Sequence, residues 1–248
     1  AALKKGIEQA AKDLAANKGQ ALVVAGSNDV NVQLIVNAIN DAVGSYGTTI
    51  DLVSKLQNKS GIDAEFAKLV EEMNAGSVGA VLVYDVNPAY DYFDAEKFIA
   101  GLKKVRVSVS FNEKMDETTE LCKYVLPANH YLESWGDAEQ KAGYISMLQP
   151  TIAPLFKTRQ WQDNLLKWSG SAVTYADYFK NFWTTRLGGE NTYLKALQDG
   201  VVESPAMVMG FPSFNGGLVA AAVAAVGSAK KSSGTELVIY QKATFTDG

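Results

Sequence analysis

Five short apolar runs, at residues 21–25, 49–53, 80–84, 105–110 and 124–126, are separated by stretches of helical period, and this alternation constrains the fold more than any other feature. Runs so short and mostly β-branched suit strands buried on both faces. Between them Val30, Leu34, Ile35, Ala38 and Ile39 keep a 3.6-residue period, as do Phe66, Leu69, Val70 and Met73. Asp63 and Asp94 read as helix N-caps and Gly76 as a C-cap. A leading helix carries Leu3, Ile7, Ala10, Ala11 and Leu14 and closes at Asn17-Lys18-Gly19. Parallel strands joined by helices require right-handed crossovers. The expected fold is therefore α/β, a doubly wound, largely parallel sheet of Rossmann-like type with helices on both faces. Ligands in such sheets sit beyond the carboxyl ends of the strands, here at 26–29, 54–60, 85–92 and 110–116.

Composition removes several functions. With 23 basic and 27 acidic residues and a net charge of -4, nothing favours nucleic acid or an anionic membrane as partner. A single cysteine, Cys122, and a single histidine, His130, exclude a multi-thiolate or multi-histidine metal site and any Fe-S cluster held by this chain alone. The longest apolar run, 218–226, falls far short of the roughly 18–20 residues that cross a bilayer. The chain opens on Ala1-Ala2-Leu3, with neither Met nor an apolar signal core, so its start does not reveal localisation.

After Pro127 the alternation stops. Residues 136–149 are polar and glycine-punctuated, an extended excursion ending at Pro150 and Pro154. Three aromatic helices are expected next, on Trp161, Leu165 and Trp168, on Tyr175, Tyr178 and Phe182, and on Tyr193, Leu194 and Leu197. Their aromatic stripes read as packing faces, and Trp161, Trp168, Tyr178 and Trp183 form the first candidate interface if exposed. A helix over 218–226 and a strand from 237 to 240 close the chain. The expected division is a doubly wound domain over 1–150, a helical extension packing on it over 151–235, and the start of a C-terminal β-rich domain over 236–248.

The isolated motifs are weak. Gly26, Ser27 and Asn28 stand at a strand-to-helix turn that could hold phosphate, but no nucleotide fingerprint surrounds them and Asn28 or Asp29 is more simply an N-cap. His130, Ser134 and Asp137 share one loop, which rarely yields triad geometry. Cys122 reads as a buried structural thiol, and the Glu71-Glu72 and Glu117-Glu120 pairs as solvated helix faces.

The ordered series is more specific. It runs from Asp85-Val86-Asn87-Pro88 to Val105-Arg106-Val107-Ser108-Val109-Ser110-Phe111-Asn112 and Glu117-Thr118-Thr119. It continues through Tyr124-Val125-Leu126-Pro127 and Tyr131-Leu132-Glu133-Ser134-Trp135-Gly136 to Arg159-Gln160-Trp161. This series resembles the molybdopterin oxidoreductase superfamily, with its G-x-N-P pterin-facing loop, E-T-A turn and D-V-V-L-P strand. The resemblance places Gly26, Ser27, Asn28, Asn87, Pro88, Glu117 and Thr118 at a pterin site. Two departures make that site vestigial: Asp85 stands where the family has glycine, and Lys123 where it has aspartate. The new carboxylate repels an anionic nucleotide and its Cβ crowds the approach.

Within the superfamily the sequence is most similar to the pterin-free, molybdopterin-like iron-sulfur subunit of bacterial alternative complex III. That resemblance implies a non-catalytic scaffold in a respiratory quinol:cytochrome c electron-transfer complex. Fe-S clusters would lie elsewhere in the parent polypeptide, and no cofactor in this chain. The implied partners are other domains of the same polypeptide, a multihaem cytochrome c and membrane quinol-binding subunits, at the periplasmic face, with the cytoplasm as the alternative. The competing reading is a pterin-binding fragment of an active molybdenum oxidoreductase whose metal and cluster ligands lie outside this chain. An independent nucleotide-binding Rossmann protein is disfavoured because its fingerprint is missing.

Overall fold

The computed structural model describes residues 2–57, 61–204, 213–229, 234–235 and 237. Apart from Leu237, the C-terminal β-rich domain expected over 236–248 lies outside the described residues. In chain order the elements are α1 (Ala2–Ala16), α2 (Val30–Ala42), α3 (Asp63–Asn74), β1 (Ala80–Val83), α4 (Pro88–Asp91) and α5 (Ala95–Lys104). Next come β2 (Val107–Ser110), α6 (Glu117–Leu121), β3 (Tyr124–Val125), β4 (Gly136–Lys141) and β5 (Tyr144–Leu148). The last are α7 (Trp161–Trp168), α8 (Tyr175–Arg186), α9 (Glu190–Asp199), β6 (Val201–Glu203) and α10 (Val219–Ser228). No described helix is long and apolar enough to cross a membrane.

Two compact units result, one drawn from residues up to 55 and beyond 204, the other from 56–204. The boundary expected at 150 falls inside the second unit, where a sheet formed by residues on both sides of it continues unbroken.

In the first unit α2 packs against α10. Asp29 caps α2, its carboxylate accepting from the Asn31 and Val32 amides at 2.7 and 3.1 Å. The runs at 21–25 and 49–53, expected as strands, join no sheet among the described residues. The first is extended, but its backbone is satisfied by side chains: Asn40 accepts from Val23 N and donates to Val23 O, both at 2.9 Å, while Ser45 and Thr49 donate to Ala21 O. In the second, the Asp51 carboxylate accepts from Val53 N and Ser54 N, a turn that competes with strand pairing after the single Tyr46–Ile50 bridge.

The second unit holds the parallel sheet, in the order β1-β2-β3. Register fixes its faces, because partners across a parallel pair point the same way. Val81 lies beside Ser108 and Val83 beside Ser110; Val81 packs with Val70 and Met73 of α3 and Phe98 and Leu102 of α5. On the opposite face Val107, Val109 and Phe111 meet Trp161 of α7. Helices α3 and α5 thus pack against one face and Trp161 of α7 against the other, while the strand order follows the chain without reversal. Asp94 caps α5 as expected, Gly76 ends α3 at φ 75°, and Asp63 is the first residue of α3, Ile62 being its N-cap.

The polar stretch 136–149, expected as an extended excursion, is the hairpin β4–β5, with β6 pairing antiparallel on β5. Ile145 and Met147 alternate inward from β5 onto Phe179, Trp183 and Tyr193 of α8 and α9. That period of two was present in the sequence, masked by glycine and charge on β4.

One glycine sets how closely two helices approach. A Cβ on Gly101 of α5 would lie 2.8 Å from Asn74 Nδ2 and 3.0 Å from Met73 Cβ of α3. The same Asn74 amide bridges the helices, donating to Val70 O and Lys97 O at 2.9 Å. Gly101→Ala should therefore destabilise by about 1–3 kcal/mol from overpacking, even though alanine gains up to about 1 kcal/mol in helix propensity. Urea denaturation checks this; a stabilised variant would show that α3 and α5 are not in tight contact.

Candidate functional site

The carboxyl ends of β1 and β2 carry the polar cluster of interest. Asn112, just past β2, is 7% exposed. Its Oδ1 accepts from Asp85 N at 2.7 Å, and its Nδ2 donates to Val86 O at 2.9 Å and to Asp116 Oδ2 at 2.8 Å. The other Asp116 oxygen accepts from Thr119 N at 2.7 Å, capping α6. The Thr119 hydroxyl meets Ser110 Oγ at 2.8 Å inside the sheet.

A second strand of bonds joins the loop after β1 to α6. Asn87 Oδ1 accepts from the Thr118 hydroxyl at 2.7 Å and from Thr118 N at 3.1 Å, and its Nδ2 donates to Glu117 Oε2 at 2.7 Å. Thr118 Oγ1 accepts from Ala89 N at 2.9 Å, and Thr118 is wholly buried. Pro88, also buried, starts α4, where a missing amide costs nothing.

Four of the expected site residues, Asn87, Pro88, Glu117 and Thr118, thus converge. Gly26, Ser27 and Asn28 belong to the other unit. There the Ser27 hydroxyl accepts from Asp29 N at 3.2 Å and the Ser27 carbonyl from the Gln33 amide, while a Cβ on Gly26 would meet nothing within 4 Å. Nothing about Gly26 demands glycine. Asn112, Asp116 and Thr119 were missed as site residues; their signal was an Asn two residues after a buried strand and an Asp immediately before a helical Glu-Thr-Thr.

Asp85 is the one non-glycine residue with positive φ among those described, at 52°. It keeps the left-handed backbone that glycine would adopt and adds a carboxylate. Hydrogen bonding from Asn87 first, and from its own backbone amide second, holds the Glu117 carboxyl below the usual range, so it is anionic at neutral pH. Across 85–92 and 110–117 stand five carboxylates, Asp85, Asp91, Glu113, Asp116 and Glu117, against one cation, Lys114. The amides and hydroxyls of Asn87, Asn112 and Thr118 are spent on protein partners. These side chains do not fit an anionic pterin nucleotide. Lys123 lies elsewhere: its ammonium donates to Val105 O and Arg106 O at 2.8 and 2.9 Å, at the amino end of β2.

The remaining candidates have structural explanations. Ser134 donates to His130 O at 3.0 Å, His130 Nδ1 accepts from Leu132 N, and Asp137 accepts from Trp183 Nε1 at 2.8 Å, so the three form no triad. Glu133, mostly buried, accepts from His130 N and from Leu155 N, pinning the excursion after β5. Glu71 pairs with Lys97 and Glu72 with Lys68. Among the described residues no group of His, Cys, Asp or Glu is arranged to hold a metal ion.

No family model matches the chain. The molybdopterin-binding-like subunit of menaquinone reductase from Nitratidesulfovibrio vulgaris (strain Hildenborough) is 32% identical over 109 residues, 42% of this chain and 16% of that protein. Among solved structures, acetylene hydratase from Pelobacter acetylenicus aligns with a TM-score of 0.44 at 16% identity, over 61% of this chain and 22% of its own. The first similarity bears out the resemblance read from the motif series: over the matched residues the chain is similar to a molybdopterin-binding-like subunit. The chain spans about one sixth of the length of that menaquinone reductase subunit.

Two outcomes test this geometry. Asp85→Gly should leave stability unchanged or higher, whereas Asp85→Val should lose about 1–2 kcal/mol or more, because a β-branched residue resists the left-handed region; thermal unfolding of both variants decides. Burial first, and the Asp116 charge second, push the Cys122 thiol up, against a hydrogen bond from Ser108 that lowers it. The folded chain holds this proton more tightly, so the group's stabilisation is full below the unfolded thiol range and is lost as pH rises through the raised value. At about pH 8, iodoacetamide should alkylate Cys122 several-fold more slowly in the native than in the unfolded chain; equal rates would refute the burial.

Proposed function

We propose that this chain is a non-catalytic scaffold module of the iron-sulfur subunit of a respiratory quinol:cytochrome c electron-transfer complex. In this reading the module is of the doubly wound, Rossmann-like type, and its vestigial pterin site, at Asn87, Pro88, Glu117 and Thr118, holds no cofactor. Fe-S clusters belong to other parts of the parent polypeptide. The partners are those other parts, a multihaem cytochrome c and membrane quinol-binding subunits, at the periplasmic face. The similarity to a molybdopterin-binding-like subunit of a menaquinone reductase supports the respiratory setting.

One observation carries the non-catalytic part. Where a ligand would need free donors and positive charge, Asn87, Thr118 and Glu117 bond to one another, Asn112 is spent on Asp85, Val86 and Asp116, and Asp85 adds a further carboxylate. A scaffold needs no more, because electron transfer between clusters held elsewhere depends on fixed distances. Titration of the chain with GDP to about 1 mM, a concentration that would reveal even a weak site, should give no saturable signal by calorimetry. The parent polypeptide should contain neither molybdenum nor tungsten in stoichiometric amount, nor extractable pterin. Saturable nucleotide binding together with stoichiometric metal would establish the enzyme instead.

A further inference from the structure

We propose that the outer face of α8 is a docking trough for a partner segment presenting a carboxylate beside an apolar side chain. This goes beyond the scaffold reading and does not depend on what the loops after β1 and β2 bind.

Helix α8 has two differently used faces. Phe179 and Trp183 are 2% and 3% exposed and form the core against β5 and α9. Tyr178 and Phe182, one turn apart, stay 49% and 43% exposed, their rings stacked with centroids 6.4 Å apart and planes at 17°. With Asn181 and Thr185 they share one helix face, by spacings of three and four. Ser171 and Val173 complete a trough of about 540 Å3 that ends at Arg186.

Arg186 gives the trough its chemistry. Its guanidinium carbon lies 5.5 Å from the Trp183 ring centroid and 6.0 Å from that of Phe182, within cation–π range of both. None of the ion pairs among the described residues includes it. Cation–π contact does not use up the N–H donors of a guanidinium, and its planar fork binds a carboxylate bidentately. No carboxylate lines this trough; Asp137 and Glu139 line the neighbouring cavity, which Tyr178, Phe182 and Arg186 also border, and neither carboxylate is ion-paired with Arg186. Charge complementarity therefore selects an anion, and the exposed aromatic faces select an apolar neighbour. A trough that follows an exposed helix face suits a stretch of chain, and arginine with aromatics is the usual make-up of a protein-binding hot spot.

The test uses the 15N-labelled full chain and three probes: the capped peptide Ac-Leu-Glu-Leu-NH2, its Leu-Gln-Leu counterpart, and butyrate. The glutamate peptide should shift the Arg186 Nε–H and the α8 amide resonances saturably, about tenfold more tightly than the glutamine peptide, the difference one charge-assisted bond supplies. Arg186→Gln should lose that preference, Arg186→Lys should retain part of it, and Asn181→Glu, an exposed change that leaves Arg186 in place, should abolish binding. Equal binding of the two peptides, no saturation by about 10 mM, or unaltered binding by folded Arg186→Gln or Asn181→Glu would each overturn the proposal. Butyrate binding as tightly as the peptide would replace the protein partner with a small organic acid and overturn it too.

Discussion

The parallel sheet ends in polar groups that cannot be left without partners, and the structure around β1 and β2 depends on how they are satisfied. Each hydrogen bond nets only about 0.5–1.5 kcal/mol, but a buried amide or hydroxyl left unpaired costs about 1–3 kcal/mol. Asn112, nearly inaccessible, meets this constraint by binding the backbone of 85–86 on one side and Asp116 on the other. Asn87 and Thr118 repeat the arrangement one step outward. The two loops and α6 are therefore tied together by the penalty for releasing any member, and the left-handed backbone of Asp85 persists because Asn112 holds its amide. A ligand pocket at this end would need those same donors.

A different balance holds the hairpin. Strand β5 offers only Ile145 and Met147 to the core, so aromatic area from α8 and α9 supplies most of the burial. The indole N–H of Trp183 must then find an acceptor, and Asp137 on β4 provides it. This bond orients β4 against α8 and keeps Trp183 beneath Arg186. The exposed side of α8 is thereby set by the requirements of its buried side.

Much of the parallel sheet was legible because its signals are local. Residues 80–84, 105–110 and 124–126 carry β-branched runs, α3 and α5 keep their period, and Asp94 is an N-cap by type and position. The runs at 21–25 and 49–53 carried similar signals and still form no strands, because a strand requires a neighbouring backbone and these segments meet side chains of Asn40, Ser45, Thr49 and Asp51 first. The hairpin was hidden for the opposite reason, since β4 exposes most of its residues and its sequence is polar. At the site, Asn87, Pro88, Glu117 and Thr118 were reached through the motif series, whereas Asn112 was not, since a buried amide and a loop amide look alike in sequence. Of the aromatics considered for an interface, Trp168 and Tyr178 are about half exposed and Trp183 is buried, a difference that helical spacing alone does not reveal.

The sequence by itself determined the class of fold, the absence of a multi-cysteine or multi-histidine site within the chain, and the resemblance of its motif series to the molybdopterin oxidoreductase superfamily. Those depend on residue type and short-range spacing. Tertiary structure decided which donors are spent, which carboxylates gather at the carboxyl ends of the strands, where the chain divides into units, and which side of α8 faces outward. Those depend on contacts between residues distant in sequence, 31 positions for Asn87 with Thr118, 46 for Asp137 with Trp183, and far more for α2 with α10. Such pairings are set by packing and by the cost of unsatisfied polar groups, neither of which a local pattern encodes.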